Sequence, residues 1–251
     1  MIFEHVEIPG PDGVIDGQVV RPDTSEALPA VIQLTDIFGN RPATDDLAER
    51  IAKGGYVVLT PNIFYRTAKP PVFGFEPDFG TERTMNRFKE LAAPLTPEAM
   101  VRDGVAFVDF LAARPYVRAE FMAVVGFCFS GKFALRIAAS RPDRIAAAAS
   151  FHGGGLATDE EDSPHLLLRQ VEARLYFGHA ENDRSMPAEA IEKLDRALEA
   201  WGGTFESEVY AGAQHGWMVA GREVHHPEQA ARGFAKLMAL LDETLKSPAA
   251  T

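Results

Sequence analysis

One short turn, within the segment Phe121–Lys132, constrains this chain more than any other feature. The segment reads FMAVVGFCFSGK: an apolar run typical of a buried strand, then a tight turn that leads into the helical pattern KFALRIAAS. The only cysteine, Cys128, stands at the corner, with Gly126 before it and Ser130 and Gly131 after it. A nucleophile elbow has small residues at these positions because the turn leaves no room for side chains. The pattern therefore predicts that Cys128 projects from the carboxyl end of a strand, facing the positive end of a helix dipole.

Strands and helices alternate along the rest of the chain. An antiparallel hairpin is predicted around Pro11-Asp12-Gly13, and residues 62–80, rich in Phe, Pro and Gly, are predicted to form a loop. The remaining predicted strands are Ala30–Leu34, Tyr56–Thr60, Met122–Gly126, Ile145–Phe151, Ala173–Gly178 and Thr204–Tyr210; the predicted helices are Asp45–Gly54, 81–92, one from Pro97, one up to Ser140, Pro187–Trp201 and Pro227–Leu245. Short apolar strands separated by helices predict an α/β fold with a mostly parallel central sheet and helices on both faces. Because no linker divides the chain, residues 1–251 are predicted to form a single domain.

Composition and charge limit the classes of partner. The net charge is −11, with acidic and basic residues interspersed, which argues against nucleic acid and against an anionic membrane surface as partners. No run approaches the ~18 apolar residues that a membrane span needs. The N-terminal MIFEHVEIPG lacks the pattern of a secretory signal, and a single cysteine excludes an intrachain disulfide. These features predict a cytoplasmic protein. We expect a monomer or small homo-oligomer whose partner is a small molecule, a class on which the net charge says little.

Polar residues follow several of the predicted strands. Asp36 and Ile37 follow one strand, Cys128 another, and Asp183 and His215 the last two. Ligands of open α/β sheets bind beyond the carboxyl ends of the strands, so we expect these residues to meet at one edge. The order cysteine, acid, histidine is also the chain order of an α/β-hydrolase triad.

The chemistry of a thiol nucleophile assigns a role to each of these groups. The thiolate of Cys128 would attack, and His215 would take its proton and later return it to the leaving group. Asp183 would fix the tautomer of His215 and stabilise the charged ring. The backbone N–H groups of Phe129 and Ile37 are the candidates for an oxyanion hole.

These segments resemble the dienelactone hydrolase family, α/β-hydrolases with a cysteine nucleophile, over nearly the whole chain. The resemblance is carried by GFCFSG, QLTDIFG, PNIFYR, FHGGG, GHAENDRSMP and GAQHGW. It implies the α/β-hydrolase fold and the hydrolysis of carboxymethylenebutenolides or related small esters and lactones, through an acyl-thioester intermediate, without metal or cofactor. By position, Cys128, Asp183 and His215 match the catalytic triad of the family.

Two positions depart from the family pattern. Family members often carry a glutamate in the loop that matches QLTDIFG, where it contacts the resting thiol. This chain has Asp36 instead, which is one methylene shorter and is the candidate thiol-modulating residue, in direct contact with the thiol or through a water. The members that act on the anionic lactone use an arginine four residues after the histidine, whereas this chain has Val219. A neutral ester or lactone is therefore at least as plausible a substrate as dienelactone.

Other basic residues could replace the missing arginine, and other interpretations of the motifs remain open. Arg222 is the nearest arginine, and Arg83 or Arg87 could supply a basic contact. Glu181 competes with Asp183 as the triad acid. His152 and His179, near strand ends, are candidates for the pocket wall. The adjacent pair His225-His226 suggests a metal site, but adjacent side chains point in different directions and no Cys or carboxylate spacing completes a zinc set.

Two further functional classes compete with a hydrolase. An exposed reactive cysteine could belong to a non-catalytic α/β-hydrolase-like binding protein or thiol sensor, although a sensor needs neither the acid nor the histidine. The spacing of Gly126, Gly131 and Lys132 also fits most of a phosphate-binding P-loop, but Phe133 stands where that motif needs Ser or Thr.

Overall fold

The opening hairpin has the predicted antiparallel pairing. In the computed structural model, which describes residues 1–246, strand β1 (Ile2–Gly10) pairs with β2 (Gly13–Arg21) so that Gly10 lies opposite Gly13. The end of the predicted domain, residues 247–251, lies outside the described part. β2 then pairs antiparallel with β4 (Val57–Pro61), which joins the hairpin to the rest of the sheet.

The other strands are β3 (Leu28–Leu34), β5 (Val117–Phe127), β6 (Ile145–Phe151), β7 (Arg174–Asn182) and β8 (Phe205–Gln214). All eight strands form one sheet in the order β1-β2-β4-β3-β5-β6-β7-β8. From β4 to the far edge all neighbouring strands are parallel. The chain leaves β3 for β4 on one side and returns to add β5 on the other side. This change of direction opens a crevice at the carboxyl ends of β3 and β5, which is where ligands of such sheets bind.

Helices cover both faces of the sheet, as predicted. The helices are α1 (Pro42–Lys53), α2 (Glu82–Ala92), α3 (Pro97–Ala112), α4 (Gly131–Ser140), α5 (Ala188–Trp201) and α6 (Pro227–Leu241). Helices α1 and α6 pack on one face through residues such as Leu47, Ile51 and Leu237. Helices α3, α4 and α5 pack on the other face, where Phe107 and Phe133 are fully buried. This architecture is the α/β-hydrolase fold.

Two of the predicted strands continue further than expected, through polar residues. β7 and β8 extend to Asn182 and Gln214, which still pair with each other beyond a register shift, although their polar side chains suggested loops. A short 3₁₀ segment, Pro164–Gln170, was not predicted, and α6 passes into the π-helical turn Asp242–Lys246. None of the helices within residues 1–246 is both long enough and apolar enough to span a bilayer.

Candidate active site

The elbow after β5 holds Cys128 in a left-handed backbone conformation, with φ of +60°. Such a conformation costs a non-glycine residue about 1–3 kcal/mol and persists only when its surroundings impose it. A Cβ at Gly126 would collide with the Ser130 carbonyl, and one at Gly131 with the Ser150 hydroxyl. The turn therefore needs glycine at both places. A hydrogen bond from the Phe127 N–H to Ser130 Oγ, 2.9 Å long, stabilises it.

The three residues predicted to form the triad are brought together from the loops after β5, β7 and β8. His215 Nε2 lies 3.0 Å from Cys128 Sγ, and His215 Nδ1 lies 2.6 Å from Asp183 Oδ2. The other oxygen of Asp183 accepts the Ser185 hydroxyl at 2.6 Å and the Ser185 N–H at 2.8 Å. Asp183 is thus fixed on both oxygens, and it orients the histidine so that Nε2 faces the sulfur.

The surroundings of Cys128, His215 and Asp183 favour a charged His215 beside a charged Asp183. Burial by itself would lower the pKa of His215, but its hydrogen bonds to Asp183 and Cys128 outweigh burial and raise the pKa to about 10. Burial would raise the pKa of Asp183, whereas the hydrogen bonds from His215 and Ser185 reverse that effect and lower it. The arrangement therefore favours an imidazolium beside the sulfur of Cys128.

The raised pKa of His215 predicts a stability contribution with a defined pH window. Because the folded state favours the protonated ring, the contribution is complete below the ordinary histidine pKa of about 6.5 and is lost as the pH rises through about 10. We expect the free energy of unfolding, from urea titrations across this window, to fall more steeply with pH in the wild type than in His215→Gln. Parallel pH curves for the two proteins would contradict this expectation.

A cavity of about 650 Å³ opens over Cys128, His215 and the loop after β3. Its wall is mostly apolar, as in many small-molecule sites: the apolar and aromatic lining consists of Ile37, Phe38, Phe79, Phe88, Phe129, Val219 and Val224. Phe79 and Phe88 come from the 62–80 loop and α2, so that part of the chain forms a pocket wall. Lys132, Arg222 and Glu223 bring charge to the lining.

The two candidate oxyanion donors flank the same cavity. Ile37 and Phe129 both line it, one from the loop after β3 and the other from the elbow. Within residues 1–246, the N–H of Ile37 donates to no other group, so it is available to a ligand oxygen. Both backbone N–H groups remain candidates for the oxyanion hole.

The structure does not place the carboxylate of Asp36 in a direct hydrogen bond with the thiol, and its thiol-modulating role stays a prediction. Both carboxylate oxygens of Asp36 face Arg41, whose Nη1 and Nη2 donate at 2.6 and 2.7 Å, and Oδ1 also accepts the Phe38 N–H at 3.0 Å. Within the described part of the chain, Asp36 makes no hydrogen bond to Cys128. The short aspartate is satisfied inside its own loop by the arginine that begins α1, although it still lines the cavity.

Two of the three arginines considered from the sequence do not line the cavity. Arg83 stacks on Phe75, and Arg87 donates to the Val72 carbonyl and to Glu90. Arg222 does line the cavity, with its guanidinium over the Phe38 ring. Lys132 also lines the cavity, which the sequence did not predict. The position of Lys132 at the start of the helix that follows the elbow is the signal that could have indicated this.

Of the other residues considered from the sequence, only His152 lines the cavity. Glu181, the competing triad acid, is exposed and accepts the Gly212 N–H, so it does not take the place of Asp183. His152 lines the cavity, whereas His179 lies against Ser207 outside it. The adjacent histidines hold local structure: His225 Nδ1 lies 3.0 Å from the Trp217 carbonyl, and His226 accepts the Gln229 N–H at the start of α6. Among residues 1–246 there is no group of three potential metal ligands.

The sheet order, the elbow and its position at the crevice define the chain as an α/β-hydrolase. A model of the dienelactone hydrolase family matches residues 15–245. The chain belongs to this family and is a hydrolase.

Relatives of known sequence and structure agree with this assignment. A protein of Synechocystis sp., provisionally named carboxymethylenebutenolidase, is 29% identical over 244 residues, which cover 96% of each chain. The carboxymethylenebutenolidase of Rhodococcus opacus is 28% identical over 202 residues, or 80% of this chain and 75% of that one. A crystal structure of a provisionally named dienelactone hydrolase from Klebsiella pneumoniae superposes with a TM-score of 0.85 at 25% identity, covering 96% of this chain and 98% of the other.

Proposed function

We propose that this enzyme hydrolyses small esters or lactones through a thioester on Cys128, with His215 and Asp183 completing the triad. The observation that carries the proposal is the 3.0 Å contact between Cys128 Sγ and His215 Nε2 at the cavity wall. The relatives named carboxymethylenebutenolidase support a lactone or ester as the substrate class. Membership of a hydrolase family favours this function over a non-catalytic thiol sensor.

Acylation would proceed by attack of the Cys128 thiolate on the substrate carbonyl carbon. His215 holds the proton that the thiol has given up, and the carbonyl oxygen becomes an oxyanion facing the N–H groups of Ile37 and Phe129. When the carbon–oxygen bond of the ester breaks, His215 donates the proton to the leaving oxygen. In a lactone the leaving alcohol remains attached to the acyl group.

Deacylation would use the same histidine as a base. Two of the effects that raise the pKa of His215 come from Cys128, namely its hydrogen bond and its charge. Acylation neutralises the sulfur, so both effects disappear and the pKa of His215 falls. The neutral ring then takes a proton from water as the water attacks the thioester, and the Cys128 thiolate departs when the carbon–sulfur bond breaks.

Charge in the cavity bears on which esters are preferred. Val219 is buried at the position of the family arginine, but Lys132 and Arg222 bring two cations to the lining. Burial, followed by repulsion from Arg136, lowers the pKa of Lys132. Within the described residues, Lys132 has no ion-pair partner. We propose that Lys132 replaces the family arginine in receiving an anionic group of the substrate.

A matched pair of p-nitrophenyl esters tests both proposals: the neutral acetate and an ester whose acyl chain ends in a carboxylate. We expect the wild type to hydrolyse both and to prefer the anionic ester. Lys132→Met should lower kcat/KM for the anionic ester by about 10-fold, the size of one charge-assisted contact, and leave the neutral ester nearly unchanged. Lys89→Met, an exposed lysine of α2 outside the cavity, is the matched control. Equal losses for the two esters would refute the role of Lys132, and the absence of turnover for any ester or lactone would refute the proposed function.

A further inference from the structure

The loop after β6 hydrogen-bonds to both backbone groups of Cys128, its N–H and its carbonyl. His152 Nδ1 accepts the backbone N–H of Cys128 at 3.1 Å, and the N–H of Gly154 donates to the Cys128 carbonyl at 3.4 Å. His152 is fully buried and is itself anchored, because its N–H donates to the Gly178 carbonyl at 2.7 Å. Within the described chain, no other side chain bonds to the backbone of Cys128.

This hydrogen bond requires a neutral imidazole with a lone pair on Nδ1, so the proton resides on Nε2. Burial, followed by the positive charge of His215, holds the pKa of His152 well below its ordinary value. The rings of His152 and His215 meet edge to face, with centroids 5.3 Å apart. A second imidazolium at this distance would be repelled by the first, so the charge of His215 helps to keep His152 neutral.

The bond joins two residues whose backbones are both left-handed. Cys128 has φ of +60° and His152 has φ of +41°, and within residues 1–246 they are the only non-glycine residues with positive φ. Each such residue costs about 1–3 kcal/mol unless its surroundings impose the conformation. Histidine and asparagine tolerate this region better than most residues. The hydrogen bond between these two residues therefore indicates that His152 stabilises the strained turn at Cys128.

We propose that His152 is a positioning residue, whose Nδ1 holds the peptide of Cys128 in the elbow conformation and so keeps the sulfur within reach of His215. The inference deepens the proposed function and rests on Cys128 as the nucleophile. One consequence is that the Cys128 N–H is committed to His152. The oxyanion must then rely on other donors, such as the N–H groups of Phe129 and Ile37.

The test compares His152→Asn, His152→Gly and His152→Gln. Asparagine places its Oδ1 near the position of the imidazole Nδ1 and tolerates the positive φ. Glycine tolerates the φ but offers no acceptor, and glutamine places its oxygen near the position of Nε2 instead. His179→Asn is the matched control, because His179 is also a buried histidine but does not touch the elbow.

We expect the glycine and glutamine variants to lose about 10- to 100-fold in kcat, the penalty for a displaced reacting group, with KM changed much less. Alkylation of Cys128 by iodoacetamide should slow in both variants and lose the pH profile of the wild type. His152→Asn should keep kcat within about 3-fold and retain that profile, as should His179→Asn.

Two outcomes would overturn the inference. If His152→Asn is as impaired as His152→Gly, the ring and its packing matter and the acceptor does not. If His152→Gly or His152→Gln behaves like the wild type, the hydrogen bond positions nothing. Should the wild type turn over no ester, the proposed function fails on its own, and the alkylation profiles still decide the role of His152, because they need no substrate.

Discussion

Cys128→Ala is expected to lower kcat for p-nitrophenyl acetate by about 10⁴- to 10⁶-fold, the range seen when a triad nucleophile is removed. The fold should survive, because Cys128 is only half-buried and the glycines of the elbow remain. Steady-state turnover and a thermal unfolding curve on the same preparation separate the two effects. Activity close to the wild type in this variant would contradict the assignment of the nucleophile.

Cys128→Ser extends this prediction, because it restores a nucleophile of similar size. We expect a slower enzyme, since an alkoxide is harder to generate than a thiolate at neutral pH. Part of the rise in the pKa of His215 comes from the hydrogen bond and the charge of Cys128. The histidine is therefore adjusted to a sulfur nucleophile. A serine variant faster than the wild type would show that the site is not tuned for sulfur.

Asp183→Asn has the second largest expected effect, a loss of about 10²- to 10⁴-fold in kcat. The amide cannot accept the Nδ1–H of His215 as a carboxylate does, and its NH₂ group favours the wrong tautomer. The pKa of His215 should fall as well, because its hydrogen bond to Asp183 is the largest of the effects that raise it.

Glu181→Gln is the matched control for Asp183→Asn. Glu181 lies in the same loop but is exposed and bonds only to the backbone of Gly212. This variant should retain nearly full activity. A larger loss from Glu181→Gln than from Asp183→Asn would move the acid role to Glu181.

The elbow and the sheet could be predicted from the sequence because their signals are local. Gly126 and Gly131 are required by collisions within a few residues or with the next strand, and the apolar runs mark the buried strands. The meeting of Cys128, Asp183 and His215 follows from a general property of parallel sheets, whose carboxyl ends share one edge.

The partners of loop side chains could not be predicted in the same way. Asp36 pairs with Arg41 of its own loop, and the choice between arginine and thiol depends on side-chain directions that no periodicity records. The bond between His152 and the Cys128 N–H joins the ends of two adjacent strands, and only the fold brings these ends together. The polar ends of β7 and β8 have the sequence pattern of loops, because side-chain polarity does not report backbone pairing.

The proposed catalysis depends most on a covalent acyl group carried by the sulfur of Cys128. Acid quenching of the enzyme during turnover of p-nitrophenyl acetate, followed by intact-mass and peptide analysis, tests this directly. We predict one added acetyl group on the peptide that contains Cys128, removable by neutral hydroxylamine and absent in Cys128→Ala. An acetyl group that forms and decays at the rate of turnover on any other residue would contradict the account.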